Sequence, residues 1–103
     1  MSDMPAKETY LYGQLFALAK EQDDALDALA ARKLGMWGRA RLQARTKRMQ
    51  KVAFEIMVAK VKGGLNMDQV ADAFRADIES CARTWPNLTD GQLSYVRGIA
   101  RMI

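Results

Sequence analysis

Residues 32–41 read Arg32-Lys33-Leu34-Gly35-Met36-Trp37-Gly38-Arg39-Ala40-Arg41. Gly35 and Gly38 interrupt two long stretches rich in helix-forming residues, and glycine readily accommodates a helix end. Upstream, Leu11, Leu15, Leu18, Gln22, Ala25 and Leu29 recur at alternating steps of four and three, the spacing of a packed helix face. A first helix is therefore expected from about Ala6 to Lys33, with Pro5 suited to its opening and Gly35 to its stop. Asp23 and Asp24 are capping residue types, so the sequence is compatible with a kink near Gln22. Downstream, a second helix is expected from Gly38 or Arg39 to Lys62, ended by Gly63-Gly64. So short a link joins antiparallel neighbours, which makes this stretch the bend of a long helical hairpin.

A hairpin bent here faces residues whose numbers add to about 72. That register sets Leu15 against Met57, Leu18 against Phe54 and Phe16 against Ile56. It also brings Glu21 to Lys51, Asp24 to Arg48 and Asp27 to Arg45, so apolar meets apolar and acid meets base. The second helix changes character along its length. Arg39 to Lys51 is mostly basic and polar, whereas Val52-Ala53-Phe54-Glu55-Ile56-Met57-Val58-Ala59-Lys60-Val61 is apolar nearly all round. A segment of that kind is expected to be enclosed by other helices at the centre of the core.

Two sharp start signals follow. Asn66 with Gln69, and Thr89 with Gln92, have the spacing of capping boxes, in which each end of the first turn satisfies the other's orphan N–H. Leu65 with Val70 and Leu88 with Leu93 complete each as a hydrophobic staple. The third helix is expected from Met67 to Thr84, presenting Val70, Phe74, Ile78 and Cys81, and Trp85-Pro86-Asn87 breaks it. The fourth runs from Asp90 to about Arg101, presenting Leu93, Val96, Ala100 and Ile103. The expected fold is all-α: a small bundle of three to four helices built on a long antiparallel hairpin.

At 103 residues, with 50% apolar and 27% charged, the chain fits one helical domain over residues 1–103. No apolar run approaches the roughly 20 residues that span a bilayer, and no membrane partner is expected. The N-terminus lacks the pattern of a secretory signal. Cys81 is the only cysteine, which excludes an intrachain disulfide and suits a reducing cytoplasm. Without histidine, most zinc sites and histidine acid–base chemistry are excluded. Cys81 sits on an apolar stripe with nothing to activate it. Asp23, Asp27, Asp68 and Asp72 lie at helical spacing with no metal-loop pattern around them, as a solvated face does. Gly64 to Ala71 has the outline of a helix-turn-helix entry, yet Asp72 to Asp77 continues as helix, and Asp68, Asp72, Asp77 and Glu79 repel phosphate. No catalytic residue, metal or cofactor is expected. Among seven methionines, Met49, Met57 and Met67 fall at core or boundary positions, while Met4, Met36 and Met102 are expected at the surface.

The net charge of +4 is unevenly spread. Residues 1–31 carry two lysines against six acids, residues 32–62 carry ten Lys/Arg against Glu55 alone, and residues 63–103 carry four arginines against five acids. Part of the middle basic run faces the acids of the first helix. Arg32, Lys33, Arg39 and Arg41 are left over at the bend beside Met36 and Trp37, and Arg45 and Arg48 extend the row. Guanidinium groups pair with carboxylate or phosphate, and an indole supplies an anchor. The alternative is that Trp37 folds back over the bend while the arginines are merely solvated.

The expected function is a non-enzymatic inhibitor or adaptor that docks this tip on an acidic surface of a larger protein. Its style is that of phage or mobile-element accessory proteins acting on nucleic-acid-processing machines, which is an analogy and not a motif. The alternative is an accessory protein that lays the basic helix on DNA or RNA phosphates. A homo-oligomer is a further reading, since the all-round apolar segment exceeds what one small chain covers.

Overall fold

A computed structural model describes residues 5–30 and 35–102. Four helices follow one another: α1 (Ala6–Ala30), α2 (Met36–Lys62), α3 (Met67–Thr84) and α4 (Asp90–Arg101), with no strand among the described residues. The all-α hairpin-based bundle holds, α1 is one uninterrupted helix through Gln22, and no helix among the described residues is long and apolar enough to cross a membrane.

The local signals act as expected. Asn66 Oδ1 accepts from Gln69 N while Gln69 Oε1 accepts from Asn66 N, and Thr89 and Gln92 repeat the exchange at α4. Gln92 does more, because its Nε2 donates to the Phe16 carbonyl at 3.0 Å and ties α4 to the middle of α1. Gly64 takes φ +110°, the left-handed turn that a side chain would resist. Trp85, the extended residue that ends α3, lays its ring edge-on to Phe16 at 5.6 Å.

The core is shared by all four helices. Val70, Phe74, Ile78 and Cys81 of α3 are buried as their stripe predicts. On α4 the buried residues are Gln92, Val96, Ile99 and Ala100; Leu93 is only half-buried, and Ile103 lies outside the described residues. On α1 the buried face is Leu11, Tyr12, Leu15, Phe16 and Ala19, wider than the leucine seam alone, and Leu18 reaches only its margin.

The hairpin register differs from the expected one by about a turn. Glu8 meets Lys60 and Gln22 meets Thr46, so facing residue numbers add to about 68. At the bend, Gly35, in extended backbone, is the N-cap of α2, so Met36 and Trp37 belong to the helix, which begins earlier than expected. The shift changes which face of α2 is covered. Met49, Ala53, Ile56 and Lys60 form the buried seam, whereas Phe54 stands 61% exposed and Val61 44% exposed. The Val52–Val61 segment is therefore enclosed on one side only. Met67, expected at the core boundary, is 75% exposed, while Met49 is buried and Met102 is exposed as expected.

Among the described residues, none is buried in α1 beyond Gln22 or in α2 before Met49. Asp23 abuts Gly91 at the start of α4, so the cover provided by α3 and α4 stops near that level. The remainder of the hairpin is a two-helix arm, and the molecule is 46 Å long against 25 and 21 Å across.

Candidate functional site

The arm carries the sequence-derived candidates. Trp37, in the first turn of α2, is 80% exposed, so it does not fold back over the bend. Arg39, Arg41 and Arg48 are exposed, and Arg45 is half-buried with its Nη1 shut off from water and without a hydrogen-bond partner among the described residues. Arg32 and Lys33 lie outside the described residues, as does the side chain of Met36.

Acids and bases line up along the arm without closing on one another. Glu21 and Asp24 of α1, with Arg41, Arg45 and Arg48 of α2, line one groove of about 540 Å³. The pairs expected from the sequence, Glu21 with Lys51, Asp24 with Arg48 and Asp27 with Arg45, are not formed. Among the described residues no carboxylate lies within 4.0 Å of any basic group of α2 before Lys60, and Asp24 is taken instead by Lys20 at 3.0 Å. The one-turn shift explains this, since it moves each acid away from its intended partner. Among the described residues one polar tie spans the arm: Gln22 Nε2 donates to the Leu42 carbonyl at 3.1 Å and to Thr46 Oγ1 at 3.0 Å.

Asp23, Asp24 and Asp27 bring their carboxylates within 4.8 Å of one another. Lys20 draws on Asp24, and the Asp23 carboxylate rests against Gly91 at the N-terminal end of α4, where the helix dipole favours negative charge. Burial first, then Asp23 and Asp27, raise the pKa of the nearby Tyr95 phenol. These contacts account for the cluster as part of the α1–α4 packing.

A buried polar cluster lies at the opposite end of the hairpin, and sequence reasoning missed it. Lys60 Nζ sits 2.7 Å from Glu8 Oε1 and 2.5 Å from Asp77 Oδ2, while the Tyr12 hydroxyl donates to Asp77 at 2.9 Å. Burial works to lower the Lys60 pKa, but its hydrogen bonds to Asp77 and Glu8 outweigh that and hold it above the usual lysine value. Burial, then the charge of Asp77, drives the Tyr12 phenol far above the ordinary tyrosine range. Burial and Asp77 also push the Cys81 thiol up to about 11, so Cys81 is a core residue held as the unreactive thiol. A signal for the cluster existed: Lys60 falls on the same four-three-four spacing as Met49, Ala53 and Ile56, and a lysine on an apolar seam calls for buried carboxylates.

Comparison with protein families, curated proteins and solved structures gives no match for this chain.

Proposed function

We propose that this protein is a non-enzymatic binding protein that sets the basic, Trp-tipped arm of its helical hairpin on an acidic surface of a larger protein, as an inhibitor or adaptor. The observation that carries this reading is Trp37 standing 80% exposed in the first turn of α2, with exposed Arg39 and Arg41 following within the next turn and no carboxylate within 4.0 Å of either arginine among the described residues. An indole exposed to that degree is an anchor awaiting a pocket, and arginines at its side add bidentate pairing with carboxylates. The cytoplasm, where nucleic-acid-processing machines work, is the compartment this reading assumes.

The basic line along α2 supports the nucleic-acid alternative, since Arg39 to Lys51 rises about 18 Å and matches several phosphates. Against it, Glu21 and Asp24 line the same groove as Arg41, Arg45 and Arg48. A phosphate backbone following that row meets carboxylates as well as guanidiniums. Protein binding is the better fit.

Affinity capture from the native host, with mass spectrometry, identifies the partner. Trp37→Ala combined with Arg39→Glu is expected to weaken capture at least tenfold while leaving helicity unchanged. Unaltered capture refutes the tip. Binding of random duplex or single-stranded DNA that falls steeply with salt, with no protein captured, replaces this reading by the alternative.

A further inference from the structure

We infer that the outer face of α2 is a docking seam, along its whole length, for one amphipathic helix of a partner that carries carboxylates at its central seam positions. The inference rests on the protein-binding reading above and extends it from the tip to the full helix.

The seam lies opposite the buried one. Trp37, Ala40 and Ala44 begin it, Lys47 and Lys51 form its middle, and Phe54, Val58 and Val61 end it. The steps between successive members alternate three and four without a break, which is the spacing a packed partner helix requires. Every member is exposed except Val58, which is half-buried. Leu42, Thr46, Met49, Ala53, Ile56 and Lys60 repeat the same alternation on the inner face, the first two half-buried against α1 and the last four buried in the bundle. A helix that needs only one seam to pack into its own bundle has no use for a second one ending in exposed phenylalanine and valine. Exposed apolar residues arranged with a polar surround mark an interaction surface. The seam spans about 36 Å, the length of a long helix.

Charge selects the occupant. A second copy of this chain could pair its own α2 antiparallel along the seam, setting Trp37 against Val61, Ala40 against Val58 and Ala44 against Phe54. The same alignment sets Lys47 against Lys51 twice, putting four ammonium groups at the centre of the interface. Like charges at seam positions are a standard device against self-pairing. A partner helix with apolar residues toward its ends and aspartate or glutamate opposite Lys47 and Lys51 meets the same seam without that penalty.

The self-pairing geometry supplies the test. The wild-type protein is expected to sediment as a monomer. Lys47→Glu turns both central contacts into acid–base pairs, so this variant is expected to shift from monomer to dimer at the same concentration, with unchanged circular dichroism. Adding Phe54→Glu is expected to return it to monomer. A Lys47→Glu protein that stays monomeric overturns the seam, and a dimeric wild type shows that a second copy, not an acidic partner, occupies it. As a direct probe, a synthetic helical peptide with glutamates at two central seam positions and leucines on either side is expected to shift the amide resonances of Trp37, Val58 and Val61. The lysine counterpart of that peptide is expected to leave them in place. Equal shifts with both peptides, or none with either, overturn the choice of partner. Trp37 belongs to both surfaces, so Arg39→Glu alone reads the tip and Phe54→Glu the seam. A captured partner lost on Arg39→Glu but kept on Phe54→Glu removes the seam alone. Seam-dependent binding of the acidic peptide without a tip-dependent partner removes the tip alone.

Discussion

The Lys60 ammonium lies 2.7 Å from the Glu8 carboxylate, fastening the last turn of α2 to the first turn of α1. Asp77 of α3 takes the same ammonium, and both Lys60 and Glu8 are buried. One cation thus joins three helices at the end of the hairpin remote from the bend, in the register that leaves Phe54 and the arm arginines outside.

Removing that cation strands the buried Glu8 carboxylate and the half-buried Asp77 carboxylate that share it. Lys60→Met is expected to destabilise the fold by about 3–5 kcal/mol, because breaking a buried pair strands the charge that remains. Adding Glu8→Gln and Asp77→Asn recovers most of the loss, since the stranded charges go with them. Urea unfolding of the single and triple variants measures both effects, and a single variant as stable as the wild type refutes the role given to the network.

The same end of the molecule makes the fold sensitive to alkali. Lys60, Tyr12 and Cys81 all have folded-state pKa values above their usual ones, so the stability they contribute is present below those usual values and lost as pH rises. The usual values are 9.0 for the thiol, 10.0 for the phenol and 10.5 for the ammonium. The urea midpoint is therefore expected to start falling near pH 9 and to drop more steeply above pH 10. Tyr12 should ionise only with unfolding, so that phenolate absorbance and loss of helicity coincide for part of the tyrosine signal.

Gly91 leaves room for the Asp23 carboxylate, which a Cβ at that position would meet. Gly91→Ala is expected to cost about 1 kcal/mol in the wild-type background, the overlap outweighing the better helix propensity of alanine. With Asp23→Ala already in place, the same substitution is expected to stabilise by up to about 1 kcal/mol. The double-mutant cycle reads the coupling directly, and additive effects exclude the contact.

Gln22 is the polar tie across the arm. Gln22→Ala is expected to leave the global unfolding transition within about 1 kcal/mol of wild type while speeding amide exchange in residues 36–48. Equal protection of those amides in both proteins shows that the arm is held by other means.

Much of the architecture was legible because it is decided within a few residues. The capping boxes at Asn66 and Thr89 close over a single turn, and the α3 stripe of Val70, Phe74, Ile78 and Cys81 leaves one apolar side to bury. The candidate site was half legible. Charge segregation pointed to the arm, and Trp37 is exposed there, but the expected pairing of Asp24 with Arg48 gave way to Lys20. α2 begins at Met36 and not Gly38, and the cross-hairpin pairs sit about a turn from the expected register.

The chain by itself determined four helices, their boundaries to within a few residues, and a bend flanked by positive charge and tryptophan, since propensity, capping and periodicity are local. Only the tertiary structure decided which side of Val52–Val61 turns inward. A segment apolar nearly all round offers several faces of similar hydrophobicity, so periodicity cannot choose among them. The inward face is the one that carries Lys60, which meets the buried Glu8 of α1 and the half-buried Asp77 of α3, two residues far off in the chain, and Phe54 and Val61 are left in water.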